Sequence, residues 1–145
     1  MIKTVLVVCI GNICRSPMAE GLLKQDLPDI NVVSAGLAAL TGQPAEPYAV
    51  ELMRDRGVDI TGHRAQQLSR SMATSADLIL VMDNTQRQEI QRLYPATTGR
   101  VFRMGELGKF DVPDPFREAR PAFENALQLI QRGVAAWVPR IQALR

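Results

Sequence analysis

Residues 4–9 read Thr-Val-Leu-Val-Val-Cys, an apolar, β-branched run with no polar alternation. A strand of this composition must be covered on both faces, as in a parallel sheet layered between helices. Residues 77–82, Asp-Leu-Ile-Leu-Val-Met, repeat the demand farther along the chain. Two shorter strand-like segments, Asn31 to Ala35 (closed by Gly36) and Arg100 to Met104, complete a set of four.

Helical patterns alternate with these strands. Residues 16–27 form an apolar face from Met18, Leu22 and Leu23, with Ser16 as N-cap, Pro17 in the first helical position and Pro28 as the stop. An amphipathic helix is expected near Tyr48 to Arg56, ended by Gly57, and another over Thr85 to Tyr94, bounded by Pro95. A last helix, about Pro121 to Gln142, carries Phe123, Leu127, Ile130, Val134 and Trp137 along one stripe, a core stripe rather than a functional one. The alternation predicts α/β architecture in a single domain, 1–145. Its four-stranded, mainly parallel twisted sheet has helices on both faces and a phosphate-binding loop after the first strand.

Two cysteines are too few for a disulfide scaffold, and His63, the only histidine, leaves Cys9 and Cys14 short of a zinc ligand set. A net charge of +2 with scattered Lys and Arg gives no nucleic-acid footprint. The apolar runs are too short for stable membrane insertion, and the start lacks the pattern of a signal peptide, so the expected compartment is cytoplasmic.

The segment after the first strand narrows the chemistry. Cys9, Ile10, Gly11, Asn12, Ile13, Cys14, Arg15 and Ser16 occupy the carboxyl end of a strand and lead into a helix, the position where ligands bind in such sheets. Backbone N–H groups curling into a helix N-terminus cradle an anion. Neither common nucleotide-loop pattern is present. Instead a cysteine lies at the base and an arginine at the rim. Converging N–H donors and a guanidinium favour the thiolate of Cys9, and Arg15 offers a planar fork that matches two phosphoryl oxygens. In-line attack on phosphorus would then give a phosphocysteine intermediate. Taken alone, Cys9 reads as a small buried strand residue and Arg15 as a surface charge; the full Cys-x5-Arg-Ser-Pro constellation reverses that balance. Such a route needs a general acid. Residues 110–116, FDVPDPF, hold Asp111 and Asp114 in a proline-stiffened loop, with Phe116 placed to pack on a substrate ring. Cys14 is near enough in sequence to trap oxidised Cys9 as a reversible disulfide.

The segment VCIGNICRSPMAE resembles the N-terminal signature of the low-molecular-weight protein tyrosine phosphatases, and DPF resembles their Asp-Pro-Tyr acid loop. The resemblance covers essentially the whole chain. It implies Cys9 as nucleophile, Arg15 as phosphate clamp and Asp114 as general acid; Asp111, three residues earlier in the same loop, is the reserve candidate. It further implies that Asn12 and Ser16 hold the loop in a strained shape, that Ser16 assists thiolate departure, and that Ser34 and His63 support this network. Without it, Ser34 reads as a strand-end turn residue and His63 as a surface histidine. Asp83 matches a family position with a structural role. Where many eukaryotic relatives carry a bulky aromatic, this chain has LAALTGQ, with Leu40 as the wall residue; Arg117 follows Phe116 in place of a second tyrosine. The SAGLAAL loop is similar to bacterial members paired with tyrosine autokinases that control capsule or exopolysaccharide export. The implied partner is therefore a phosphotyrosine protein, a bacterial tyrosine kinase, met by a monomer or weak dimer. No metal or organic cofactor is expected.

Two other functions share parts of this pattern. A thioredoxin-coupled arsenate reductase passes a disulfide to further cysteines, and none follows Cys14 here; a reductase using an external thiol escapes that objection. A non-catalytic phosphotyrosine-binding module would need neither Cys9 nor Asp114.

Overall fold

The computed structural model describes residues 1–145. Its strands are β1 (Thr4–Cys9), β2 (Asn31–Gly36), β3 (Leu78–Val81) and β4 (Val101–Arg103). They form one sheet in the order β2-β1-β3-β4, and every pairing is parallel. The helices are α1 (Arg15–Asp26), α2 (Pro47–Arg54), α3 (Arg70–Ser75), α4 (Asn84–Leu93) and α5 (Arg120–Leu144), with short 3-10 turns at Pro95–Thr97 and Glu106–Gly108.

Because side chains alternate across a strand, the unbroken apolar runs serve two cores at once. Val5, Val7, Leu78 and Leu80 pack with Met18 and Leu23 of α1 and Phe123, Leu127 and Ile130 of α5. Leu6, Val8, Ile79 and Val81 face the opposite way, onto Ala73 of α3, Ala76 at its C-cap and Ile90 of α4. The expected α5 stripe is buried throughout, including Val134 and Trp137. Each fully buried large side chain of this kind contributes roughly 1.5–3 kcal/mol. The α/β expectation therefore holds, with a sheet that is wholly rather than mainly parallel.

Several boundaries differ from expectation, each for a local reason. The first helix begins at Arg15, with Cys14 in the N-cap position and no side-chain cap; Ser16 lies inside it, its hydroxyl engaged elsewhere. Pro17 is thus the third helical residue, where its missing N–H is still one of the unpaired first-turn donors. The third strand starts at Leu78 because Asp77 turns its carboxylate to the N–H groups of Lys3 and Thr4, both at 2.9 Å. Asp83 caps α4 by accepting from Gln86 N at 2.8 Å, so that helix starts at Asn84. The second helix is Pro47–Arg54, shorter than expected at its C-terminal end. No helix was expected at α3. Its six residues lack an apolar period, and the Ser69 side chain, accepting from Met72 N, defines its start.

No helix is long and apolar enough to cross a membrane. All four strands send their carboxyl ends to one edge. After β1 the chain crosses to β2 on one side and then to β3 on the other, so β1 marks the switch in strand order where such sheets open a crevice.

Candidate active site

The loop from Cys9 to Cys14 curls between β1 and α1, and its carbonyls are held from outside. Cys9 O accepts from Leu37 N, Ile10 O from Ala38 N, Gly11 O from Leu40 N and Ile13 O from Glu46 N, at 2.9–3.0 Å. Asn12 O accepts from His63 Nε2 at 2.6 Å. A carbonyl can only accept, so that nitrogen carries the proton. With the carbonyls engaged behind, none of the N–H groups of residues 10–14 donates to a protein acceptor. The result is a ring of amide donors at the N-terminus of α1, electrostatically suited to an anion. Gly36 allows the surrounding strand to come this close, because a Cβ there would run into the Ile10 carbonyl.

Asn12 organises the loop from within. It is fully buried and sits at φ 59°, a left-handed conformation that asparagine tolerates better than most residues. Its Nδ2 donates to Ser16 Oγ at 2.7 Å and to Ser34 Oγ at 3.0 Å, and its Oδ1 accepts from Gln66 N at 2.9 Å. Ser34 Oγ in turn donates to Glu20 Oε1 at 2.5 Å, and Glu20 pairs with Lys24 at 2.6 Å. Ser16 Oγ lies 3.0 Å from Cys9 Sγ. Since it already accepts from Asn12, its own hydrogen is free to point at the sulfur.

Arg15 is 2 % exposed. Its Nη1 donates to Val112 O at 2.8 Å and lies 3.9 Å from Asp83 Oδ2; its Nη2 lies 3.5 Å from Asp114 Oδ2. Its buried Nε has no protein partner. Asp114 accepts from Phe116 N at 3.1 Å and is about half exposed, at the mouth of the site. Asp111 faces away from Arg15 and pairs with Arg103 at 3.1 Å.

A cavity of about 120 Å³ joins these parts. Cys9, Gly11, Ile13, Cys14 and Arg15 line its base, and Ile10, Ala38, Leu40, Asp114 and Phe116 its walls. A larger groove of about 850 Å³ is lined by Ser34 and His63 among others but contains neither Cys9 nor Arg15. The small cavity is where a thiol, a guanidinium and a carboxyl group converge, so it is the candidate for chemistry. Cys14 is also buried, and burial pushes its thiol up, with the neighbouring Cys9, Glu46 and Asp114 adding to the rise. Both cysteines are free.

Of the residues singled out in the sequence, Cys9 to Ser16, Leu40, Asp114 and Phe116 surround one cavity or its loop, while Ser34 and His63 support the loop from behind. Asp83 both caps α4 and faces Arg15. Glu20 and Gln66 were not singled out: Glu20 falls within the signature segment on the α1 face toward β2, but Gln66 carries no sequence signal; its backbone N–H serves Asn12 and its Nε2 donates to Ser34 O at 2.9 Å. No cluster of His, Cys, Asp and Glu forms a metal site.

Residues 4–145 match the family described as low molecular weight phosphotyrosine protein phosphatase. The chain is 64 % identical over 144 residues, 99 % of each chain, to a probable low molecular weight protein-tyrosine-phosphatase, EpsP, of Ralstonia nicotianae. It is 37 % identical over 144 residues, 99 % of this chain and 98 % of the other, to the low molecular weight protein-tyrosine-phosphatase Wzb of Escherichia coli. The solved structure of Vibrio vulnificus Wzb in complex with benzylphosphonate is similar with a TM-score of 0.93 at 38 % identity, covering 97 % of this chain and 99 % of that one.

Proposed function

From the premise that this chain belongs to the low molecular weight phosphotyrosine protein phosphatases, we propose that it hydrolyses phosphotyrosine through a phosphocysteine at Cys9. The amides of residues 10–14 and the Arg15 guanidinium take the equatorial phosphoryl oxygens. The Cys9 thiolate attacks phosphorus in line with the aryl oxygen. As the S–P bond forms and the P–O bond breaks, the electron pair goes to the phenolic oxygen, which takes a proton from Asp114. Asp114, now a carboxylate, accepts a proton from the water that attacks the phosphocysteine. Inorganic phosphate leaves, and the Ser16 hydroxyl stabilises the departing thiolate. The loop and Arg15 supply the positive charge this route needs.

The observation that carries this reading is the outward engagement of the loop carbonyls, which leaves a ring of amides around the site that holds Cys9 Sγ, with Asp114 on the opposite wall. Leu40 and Phe116 form apolar walls above the thiol, suited to an aryl group; the Vibrio vulnificus relative was solved with benzylphosphonate, a phosphonate carrying such a ring. The partner we infer is a bacterial tyrosine autokinase of capsule or exopolysaccharide export, as the similarity of the SAGLAAL loop implies, met in the cytoplasm. The test combines two variants. Cys9→Ser should abolish turnover of an aryl phosphate, and Asp114→Ala should lower it by about 10² to 10⁴, less for leaving groups acidic enough to depart unprotonated. More than a few per cent of activity in Cys9→Ser rejects the phosphocysteine. Either variant, used to trap phosphoproteins from the native cell, should retain the autokinase.

A further inference from the structure

The acid loop carries Asp114 but has no regular secondary structure of its own between Phe110 and Pro115. Its position therefore depends on tethers. Val112 provides two, donating N–H to Met82 O at 2.8 Å and accepting from Arg15 Nη1 at 2.8 Å. Phe110 provides another: its ring fills the space over Gly105 and Gly108, where any Cβ would collide with it. A fourth lies outside the cavity. Arg103, the last residue of β4, reaches Asp111 Oδ1 with Nη1 at 3.1 Å.

We infer that Arg103 is a positioning residue for the reaction, latching Asp111 so that the loop holds Asp114 opposite Cys9. The inference rests on Asp114 being the general acid. What distinguishes the latch from an ordinary surface ion pair is how its cation is held. Glu106 Oε2 accepts from Arg103 Nη2 at 3.2 Å, and Glu106 Oε1 accepts from Arg87 Nη1 at 3.1 Å and from the Arg103 backbone N at 3.3 Å. The Arg103 side chain is only 19 % exposed, and its contact with Glu106 holds it independently of Asp111. Glu106 first and Asp111 second hold the Arg103 proton more firmly than usual, and Arg103 holds the Glu106 carboxyl below the ordinary range. Only the Asp111 side chain must be ordered to close the latch. From there two residues, Val112 and the stiff Pro113, lead to Asp114.

Asp111 is about half exposed, so the pair is partly screened and its loss should cost rate modestly, by about two- to fivefold. The experiment measures kcat/KM for a series of aryl phosphates whose phenols span a wide range of acidity. The enzymes are wild type, Arg103→Met, Asp111→Asn, the double variant, Asp111→Glu and Asp114→Asn. Arg103→Met and Asp111→Asn should each lose about two- to fivefold on phenyl phosphate and nothing on a dinitrophenyl ester, which needs no proton. The double variant should lose no more than either single one, and Asp111→Glu should regain the rate. Urea unfolding of each variant identifies general damage to the fold, which would depress all esters alike. Additive losses, equal losses across the series or no loss at all overturn the latch. Asp114→Asn separates this from the parent reading. If it lacks leaving-group dependence, Asp114 is not the acid; if Asp111→Asn shows the large dependence in its place, Asp111 is the proton donor and the latch falls with that assignment.

Discussion

Asn12→Asp is nearly isosteric, yet it should disable the site by reversing the direction of one hydrogen bond. The proton positions around Asn12 follow from the heavy atoms alone. Ser34 spends its hydrogen on Glu20, so its Oγ accepts from Asn12 Nδ2. The second Nδ2 hydrogen goes to Ser16 Oγ, which leaves the Ser16 hydrogen for Cys9 Sγ at 3.0 Å. An aspartate at position 12 has only acceptors. It would draw the Ser16 hydrogen to itself and add a carboxylate within the Glu20 network. Because aspartate also tolerates the left-handed backbone, the loop itself should persist.

The sulfur then loses a hydrogen bond to its charged form, worth about 1.5–3 kcal/mol. At about 1.4 kcal/mol per decade that is roughly a 10- to 150-fold loss wherever thiolate departure limits turnover. Steady-state hydrolysis of an aryl phosphate, with rapid-quench measurement of phosphoenzyme, should show kcat falling while phosphocysteine accumulates. Ser16→Ala should show the same loss, and Asn12→Asp in that background should add little, because both act through one hydrogen. Asn12→Asp with at least half the wild-type kcat, or losses that multiply with those of Ser16→Ala, would refute the directional relay.

Other expectations follow from the same geometry. Matched phosphotyrosine and phosphoserine peptides should differ strongly in kcat/KM, and Phe116→Ala should narrow the gap; equal values would count against an aryl-selective pocket. After peroxide inactivation, dithiothreitol should restore most wild-type activity but little in Cys14→Ser, since Cys14 can displace water from a Cys9 sulfenic acid to form a disulfide. Because burial keeps the Cys14 thiol protonated, disulfide formation should quicken as pH rises. Hydrogen bonds from Lys3 N and then Thr4 N hold the Asp77 carboxyl below its ordinary range. Its stabilisation is therefore present above the unfolded value of about 3.9 and lost as pH falls through the folded one; urea midpoints of wild type and Asp77→Ala should differ near neutrality and converge in acid.

The parts of this molecule legible in the sequence are those written in contiguous residues. Two unbroken β-branched runs required a sheet covered on both faces, and the α5 stripe declared its buried side. The cradle was legible because a cysteine, an arginine and a helix start lie within one turn of chain. What remained hidden depends on partners distant in sequence. Gln66 reaches Asn12 across 54 positions with a backbone N–H, which any residue but proline could supply. Ser16 had the composition of an N-cap, but the tertiary demand of Asn12 and Cys9 placed it inside the helix. The residues alone left the two aspartates of FDVPDPF unranked, and only the likeness of DPF to the family's acid loop favoured Asp114. Their opposite orientations, one toward Arg15 and one toward Arg103, emerge only from the fold.

On the proposed mechanism, that opposition lets one guanidinium link two halves of the reaction. Arg15 belongs to the cradle by sequence and to the acid loop by contact. Nη1 is spent on Val112 O, in the loop that carries Asp114, while Nε has no protein partner and Nη2 only a long ion pair. A phosphoryl group drawing on Nε and Nη2 would compete with Asp114 for Nη2 without disturbing the Val112 tether. The carboxyl group would then be released from the guanidinium while its backbone stayed in register, which frees it to hold the proton that the leaving phenol requires. A lysine at position 15 carries the charge, but its three donors radiate from one nitrogen and cannot reproduce the planar fork that spans the Val112 carbonyl and two phosphoryl oxygens. On this argument Arg15→Lys should lose more on substrates that need protonation than on activated esters, the mark of a disturbed acid loop in addition to a weakened clamp.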